Sequence, residues 1–377
     1  MSGVWDDVVG QERALDSLKA AVADPTAMTH AWLITGPPGS GRSHAARAFA
    51  AALQCADGGC GECQACRRVS GGSHPDVTRV ATEKVTISID EVRDLIGAAQ
   101  QAPSQGRWRV IIIEDADRMT ERTSNVLLKS IEEPPPRTVW LLCAPSSQDV
   151  AVTIRSRCRA VSLVTPSPDS VAELLVERHG VAPQVALEAA RAAQSHIGVA
   201  RRLARDPQAR ARRDQVLALA TDIRGVGDAV LAAADLVAVA EEDAKAVSEE
   251  RDGAERAELM AALGADESGR LPPALRSQVR QLEDDQKRRA TRMKRDVLDR
   301  AILDLMSLYR DVACVQVGAS VHLVNESHRG HIESLAARTT LADTVRCLDA
   351  LGTARTRLAG NVAPLLAMEA MTLALRP

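Results

Sequence analysis

The 377-residue chain is 45% hydrophobic and 26% charged, an ordinary globular mixture that at this length predicts two or three domains rather than one core. Its formal net charge of −3 argues against a protein that grips nucleic acid with its whole surface. An aromatic content of 2%, with Phe49 and Tyr309 each the single example of its type, argues against stacking platforms for single strands.

Met1 leads directly into Trp5-Asp6-Asp7, without a basic-then-apolar signal segment, and no apolar run approaches a membrane span. A cytoplasmic protein is the expectation. In chain order, Ala31 to Thr35 is a short apolar strand, followed by a Gly-rich turn and a helix from about Arg42. Val77 to Ala81 reads as a second strand. Ser88 and Glu91 form a capping box that opens a helix through Leu95 and Ala99. Trp108 to Ile113 is continuously apolar in the manner of a parallel strand buried on both faces, and Val139 to Cys143 is another. Between them Thr120 to Ile131 is amphipathic, with Val126, Leu127, Leu128 and Ile131 inward. The pattern predicts an α/β module over 1–165, a parallel sheet with helices on both faces.

From Ser167 only helical periods remain. Val171, Leu174 and Leu175 share one face, Val185, Leu187 and Ala190 another, and Ile197 to Leu203 a third, which fits a small helical lid over 166–207. An Ala-rich helical domain is expected over 208–377, with a strongly charged tract over about 241–295 interrupted by Leu271-Pro272-Pro273. Leu275, Val279 and Leu282, then Leu298, Ile302, Leu305 and Tyr309, keep a helical period on either side of a polar stretch. Within the tract, Lys287, Arg288, Arg289, Arg292, Lys294 and Arg295 form a dense positive run. Glu283, Asp284 and Asp285 just upstream can pair with it on one helix, so a solvated helix is favoured over a DNA contact.

Gly36-Pro37-Pro38-Gly39-Ser40-Gly41-Arg42-Ser43 has the spacing and the strand–helix setting of a P-loop, whose backbone N–H groups close around phosphates. The lysine that reaches the β- and γ-phosphates is replaced by Arg42, longer, planar and not an equivalent point charge, while Ser43 still offers a hydroxyl to Mg²⁺. After Ile113 stand Glu114 and Asp115, where a metal-holding Asp followed by a water-activating Glu is expected. The order is inverted, and a base shortened by one methylene loses reach to the attacking water. ATP and Mg²⁺ can therefore bind only at a degenerate site.

Eight cysteines divide into a crowded group, Cys55, Cys60, Cys63 and Cys66, and four scattered thiols. Four soft ligands on a short loop with Gly58, Gly59 and Gly61 point to a closed structural Zn²⁺ site, with an iron–sulfur cluster the lesser alternative.

These motifs follow one another with Val8-Val9-Gly10-Gln11, His30-Ala31-Trp32-Leu33, Glu114 to Thr120, Asn125 to Lys129, Glu132-Glu133-Pro134-Pro135, Ile154-Arg155-Ser156-Arg157-Cys158 and Gly198-Val199-Ala200-Arg201. The series covers roughly the first 200 residues, and with it the chain resembles the bacterial clamp-loader AAA+ family of DNA polymerase III. The resemblance implies that the segment holding Val9 lines an adenine pocket and that Arg201 is a sensor 2 residue in the lid. It also implies that Arg157, between Ser156 and Cys158, is an arginine finger inserted into a neighbour's ATP site. Sensor 1 departs, with Ala144-Pro145 before Ser146 where motor subunits place a threonine.

Implied partners are the γ/τ and δ subunits in a pentameric ring held by C-terminal collar helices, the β sliding clamp, and primer–template DNA through the complex, with no membrane. The zinc module is implied as an insertion after the P-loop helix. Two readings stand: a structural subunit with little ATP turnover of its own that donates Arg157, and an active γ/τ-type motor. Arg42, Glu114 and Asp115 favour the first. A free-standing remodelling enzyme is a more distant third, against which Ser156-Arg157-Cys158 counts.

Overall fold

The computed structural model describes residues 3–24, 26–82, 86–262, 276–360 and 362–376, in two compact units, Met1–Arg205 and Asp206–Pro377. The first begins with α1 (Glu12–Ala23), β1 (Ala31–Thr35), α2 (Arg42–Gln54), α3 (Gln64–Ser70), β2 (Val77–Val80) and α4 (Ile89–Ala99). It continues with β3 (Arg109–Ile113), α5 (Glu121–Glu132), β4 (Thr138–Ala144), α6 (Val152–Arg155) and β5 (Arg159–Ser162). The strands form one five-stranded sheet in the order β2-β3-β4-β1-β5, every pair parallel.

Every residue of β1, β3 and β4 is buried, in keeping with the apolar runs that dominate them. Alternation sends Trp32, Ile34, Ile112 and Leu141 to one face, against Phe49 of α2, and Leu33, Ile111, Ile113 and Trp140 to the other, against Leu95 and Ile131. Trp32 and Phe49 meet edge to face at 5.2 Å. On α5, Leu127 and Ile131 are buried while Val126 and Leu128 sit half-buried at the flanks of the stripe. The Ser88–Glu91 capping box is present. Because all strands run the same way, the turns after β1, β3 and β4 emerge at one edge of the sheet, where open α/β folds place ligands.

Arg109, expected in an apolar run, is buried at the start of β3. It donates from Nε to the Ala98 carbonyl (2.8 Å) and from a terminal nitrogen to the Pro75 carbonyl (2.7 Å), and lies 3.7 Å from Asp76. Asp76 accepts from the backbone N–H groups of Ser104, Gln105 and Gly106 at 2.6–2.8 Å and from Ser104 Oγ at 2.9 Å. Burial works against this carboxylate's charge, but the donors outweigh it and hold the group down at about 2. A lowered folded-state value means that the stabilisation is complete above the unfolded value near 4 and is lost as pH falls through about 2. Asp76→Asn is expected to cost about 3 kcal/mol or more at pH 7, since it leaves Arg109 buried without its counter-charge. In urea titrations the gap to wild type should narrow toward pH 2; a pH-independent gap would contradict this assignment.

Three further helices complete the unit, α7 (Pro168–His179), α8 (Pro183–Ala192) and α9 (Ile197–Arg205). Val171, Leu174, Leu175, Ile197 and Leu203 face inward as the spacing predicts. On α8 the inward residues are Ala186, Ala189 and Ala190, with Val185 and Leu187 half-buried, because small side chains let the helices approach closely.

The second unit is entirely helical among its described residues: α10 (Pro207–Asp222), α11 (Val226–Ala262), α12 (Arg276–Gln316), α13 (Arg329–Arg338), α14 (Leu341–Ala359) and α15 (Pro364–Ala374). Leu298, Ile302, Leu305 and Tyr309 lie in its core beside Leu236, Leu351 and Met368. Val279 and Leu282 are half-buried. Leu271-Pro272-Pro273, Leu275 and the side chains of Arg288 and Asp285 lie outside the described residues.

The basic run finds partners on the neighbouring helix as well as on its own. Arg289 bridges Asp252 and Glu255, Lys294 pairs with Glu241, and Glu283 receives Arg256, while Lys287–Asp284 and Arg292–Asp296 are pairs within α12. The antiparallel course of α11 and α12 lays a basic stripe along an acidic one. No helix among the described residues is long and apolar enough to cross a membrane.

Candidate functional site

The P-loop joins β1 to α2 at the ligand edge of the sheet. Gly39 has φ +84°, and a Cβ there would lie 2.4 Å from His196 Cγ, so only glycine lets the loop meet the start of α9. Ile197 N–H points to the Gly39 carbonyl at 3.5 Å.

The loop is largely bonded to its own surroundings. A terminal nitrogen of Arg42 donates to the Gly36 carbonyl at 2.8 Å, so the guanidinium standing in for the lysine is turned onto the loop itself. Gly36 N–H donates to the Pro145 carbonyl at 3.2 Å, which ties the P-loop to the segment expected to hold sensor 1. Ser40 Oγ is buried without a hydrogen-bond partner, and Ser43 is half-buried as the second residue of α2, after Gly41 at its N-cap.

The acidic pair follows β3. Glu114 faces Arg79 of β2 at 3.4 Å, and Asp115 lies 3.9 Å from Arg118. Between them and α2 lies Cys143 of β4, its Sγ 3.8 Å from the Arg42 carbonyl. Burial first, then the charge of Glu114, pushes this thiol up to about 12. His44 on α2 is held below its ordinary value by burial and then by Arg47, with Arg201 of α9 acting in the same direction. Arg201 is exposed and close enough to the P-loop helix for its charge to be felt there.

Val9 is half-buried, while Gln11, two residues on, is buried and is the bridging residue. Its buried carboxamide donates to the carbonyls of Val164 (2.7 Å) and Ser40 (3.3 Å) and accepts from Val164 N–H (2.9 Å). A polar residue soon after apolar Val8 and Val9 was the available signal; its partners lie too far along the sequence to be inferred.

Arg157 lies apart from these groups, in the turn between α6 and β5. Its side chain is 37% exposed, with Nε donating to Glu132 Oε1 at 2.6 Å and a terminal nitrogen to the Thr153 carbonyl at 2.7 Å. Ser156 Oγ donates to the Thr153 carbonyl and accepts from Arg157. Cys158 packs against the core on the α5 face, and burial pushes its thiol up to about 12, which makes it an inert packing group.

The sulfurs of Cys55, Cys60, Cys63 and Cys66 all lie within 4.8 Å of one another. The Cys55–Cys60 and Cys55–Cys63 separations are 3.6 and 3.7 Å, close to the edge of about 3.8 Å that a tetrahedron with metal–sulfur bonds of about 2.3 Å requires. Backbone N–H groups of Cys60, Cys63 and Cys66 each point at the preceding cysteine's sulfur at 3.4 Å, an arrangement that favours thiolates. The donor set fits a soft, four-coordinate metal ion.

A parallel sheet in this strand order, with a P-loop after the interior strand β1, acidic residues after β3 and helices on both faces, defines a AAA+ P-loop module. Residues 10–167 match the family described as DNA polymerase III, delta subunit. The chain is 40% identical over 151 residues to DNA polymerase III subunit delta' of Pseudomonas aeruginosa, a match covering 38% of this chain and 45% of that one. It is 35% identical over 159 residues to DNA polymerase III subunit tau of Bacillus subtilis, covering 41% and 28%. The matches thus span less than half the length of these relatives. Over residues 10–167 the chain is thus similar to clamp-loader subunits of DNA polymerase III. Among solved structures, a gamma subunit-related protein of Thermotoga maritima is 14% identical with a TM-score of 0.38, covering 92% of this chain and 99% of that one. RuvB of the same organism is 15% identical with a TM-score of 0.39, covering 56% and 64%. At these scores neither bears on the assignment.

Proposed function

We propose that the chain is the δ′ subunit of the clamp loader, a stator that assembles with γ/τ and δ subunits into a pentameric ring. In that ring it supplies Arg157 in trans to a neighbour's ATP site during loading of the β sliding clamp onto primed DNA, in the cytoplasm at the replisome. The observation that carries the reading is the contrast between Arg42, turned back onto Gly36, and Arg157, half-exposed on a turn. A guanidinium held on a loop carbonyl is not placed to neutralise a γ-phosphate, whereas one on an exposed turn can reach another subunit.

In this account residues 166–207 act as the lid and 208–377 as the collar. Arg201 and the segment of Val9 flank a nucleotide pocket in which Gly36, Gly39, Ser40, Gly41 and Ser43 form the cradle. Glu114 and Asp115 are poor metal and water holders there, Glu114 being already paired with Arg79. The four cysteines hold one structural Zn²⁺, which would supply cross-linking and no chemistry. The interhelical pairing of the basic run supports a solvated arm over a DNA contact.

The isolated chain is expected to turn over ATP at no more than background in a phosphate-release assay. A rate in the range of about 1–100 s⁻¹ typical of phosphoryl-transfer enzymes would favour the motor reading instead.

A further inference from the structure

The cysteine loop reaches beyond its own ligands. Between Cys55 and Cys60, the Gly59 carbonyl accepts from Val4 N–H at 3.0 Å and the Gly58 carbonyl accepts from Trp5 Nε1 at 3.0 Å. The contact is tight as well as bonded: a Cβ on Gly59, whose φ is +111°, would stand 2.6 Å from Val4 Cγ2 and 3.1 Å from Trp5 Nε1. Trp5 is buried, and its carbonyl accepts from Val8 N–H at 3.0 Å, closing the turn that leads into Gln11. Gln11 in turn holds the Ser40 carbonyl of the P-loop and both backbone groups of Val164. A continuous bonded path therefore runs from the loop between two sulfur ligands to the phosphate cradle, entirely within the first unit.

Glycine-rich backbone does not hold such a shape unaided. Gly58, Gly59 and Gly61 all have positive φ, and glycine loses more conformational freedom than any other residue on being fixed. Cross-linking Cys55, Cys60, Cys63 and Cys66 through one ion removes that freedom at a stroke. We infer that the four-cysteine site is a positioning device for the nucleotide pocket, its metal ion fixing the Gly58 and Gly59 carbonyls so that they hold Trp5 and thereby keep Val8 to Gln11 in register with the P-loop. Trp5 and Gln11 are its positioning residues. The inference rests on the zinc reading above. By thermodynamic reciprocity, whatever factor the metal contributes to ordering the segment, the ordered segment contributes to metal affinity.

The test uses full-length protein with its metal content measured first. Zn²⁺ affinity is then determined by competition with a chromophoric chelator for wild type, Trp5→Phe and Gly59→Ala, and amide exchange is followed with and without metal. Trp5→Phe, which keeps the ring and loses the donor, should weaken Zn²⁺ binding about three- to tenfold, the worth of one net hydrogen bond. Gly59→Ala, which retains all four thiols, should do the same or more. Removing the metal should speed exchange across residues 3–11 at least tenfold while amides of β3 and β4 stay protected. A protein that holds one Zn²⁺ yet shows unchanged exchange at 3–11 and unchanged affinity in both variants overturns the positioning role and leaves the zinc reading intact. A uniform rise in exchange across the whole first unit also overturns it, since the metal would then support the fold in general. Absence of any bound metal in the purified protein removes the zinc reading and this inference with it.

Discussion

Arg157→Ala should leave folding and assembly unchanged and sharply reduce ATP turnover and clamp loading by the assembled complex. Two magnitudes separate these effects. In the chain alone Arg157 pairs with Glu132 across a half-exposed surface, and pairs of this kind contribute at most about 1 kcal/mol. An arginine finger is worth about 10³–10⁵ in turnover, or roughly 4–7 kcal/mol of transition-state stabilisation. The variant should therefore co-purify with its partners and melt within a few degrees of wild type. The site that it serves falls nearly silent, and total turnover drops by at least that site's share. If Arg157 acts in trans, Glu132 must release it on assembly, so Glu132→Ala should assemble and hydrolyse ATP near the wild-type rate. Stimulated ATPase and clamp loading by complexes reconstituted with each variant check both statements.

Metal removal should have the largest effect on stability. Cys66 is fully buried at the start of α3, and Cys55 is buried at the end of α2, so the cluster joins two helices. Binding free energies of about 10–16 kcal/mol in zinc-finger peptides measure whole folds created by the metal. Here the core on the other face of the sheet, with Leu33, Ile111, Ile113 and Trp140, contains none of the four cysteines. A loss of about 3 kcal/mol or more is therefore expected for Cys66→Ser or for the chelated protein, roughly 6–12 °C in melting temperature for a unit of this size. Purified protein should contain one Zn²⁺ per chain, released in step with the reactivity of four thiols. A fully folded, metal-free protein with all four thiols freely alkylated would contradict the assignment.

The parts of the molecule legible in the sequence were those whose signal is local. β1, β3 and β4 are dominated by apolar runs, Ser88 and Glu91 declare a helix start three residues apart, and the P-loop glycines stand at fixed spacing. The cysteines were equally plain, since their ligand spacing is contained in a dozen residues. β5 was missed because only Val161 of its four residues is buried, leaving no period to detect at the sheet edge. α1 and α3 were missed too, the first because its buried face is made of Ala14, Leu18 and Ala21, a thin stripe.

Long-range pairing stayed out of reach for a different reason. Arg289 with Asp252, Gln11 with Val164, and Trp5 with Gly58 are contacts between segments far apart in sequence, and nothing in either segment names the other. Arg109 illustrates the same limit, a charge inside an apolar run whose counter-ion Asp76 sits at the foot of the neighbouring strand.

The claim that this chain donates a finger rather than acting as a motor is tested most directly by one comparison in the reconstituted complex. DNA- and clamp-stimulated ATP hydrolysis is measured with wild-type chain, with Arg157→Ala and with Arg42→Ala. The account predicts a marked loss for Arg157→Ala and a rate indistinguishable from wild type for Arg42→Ala, because Arg42 serves only its own loop. A wild-type rate with Arg157→Ala together with a marked loss for Arg42→Ala would contradict it, and would make the chain's own P-loop the working site.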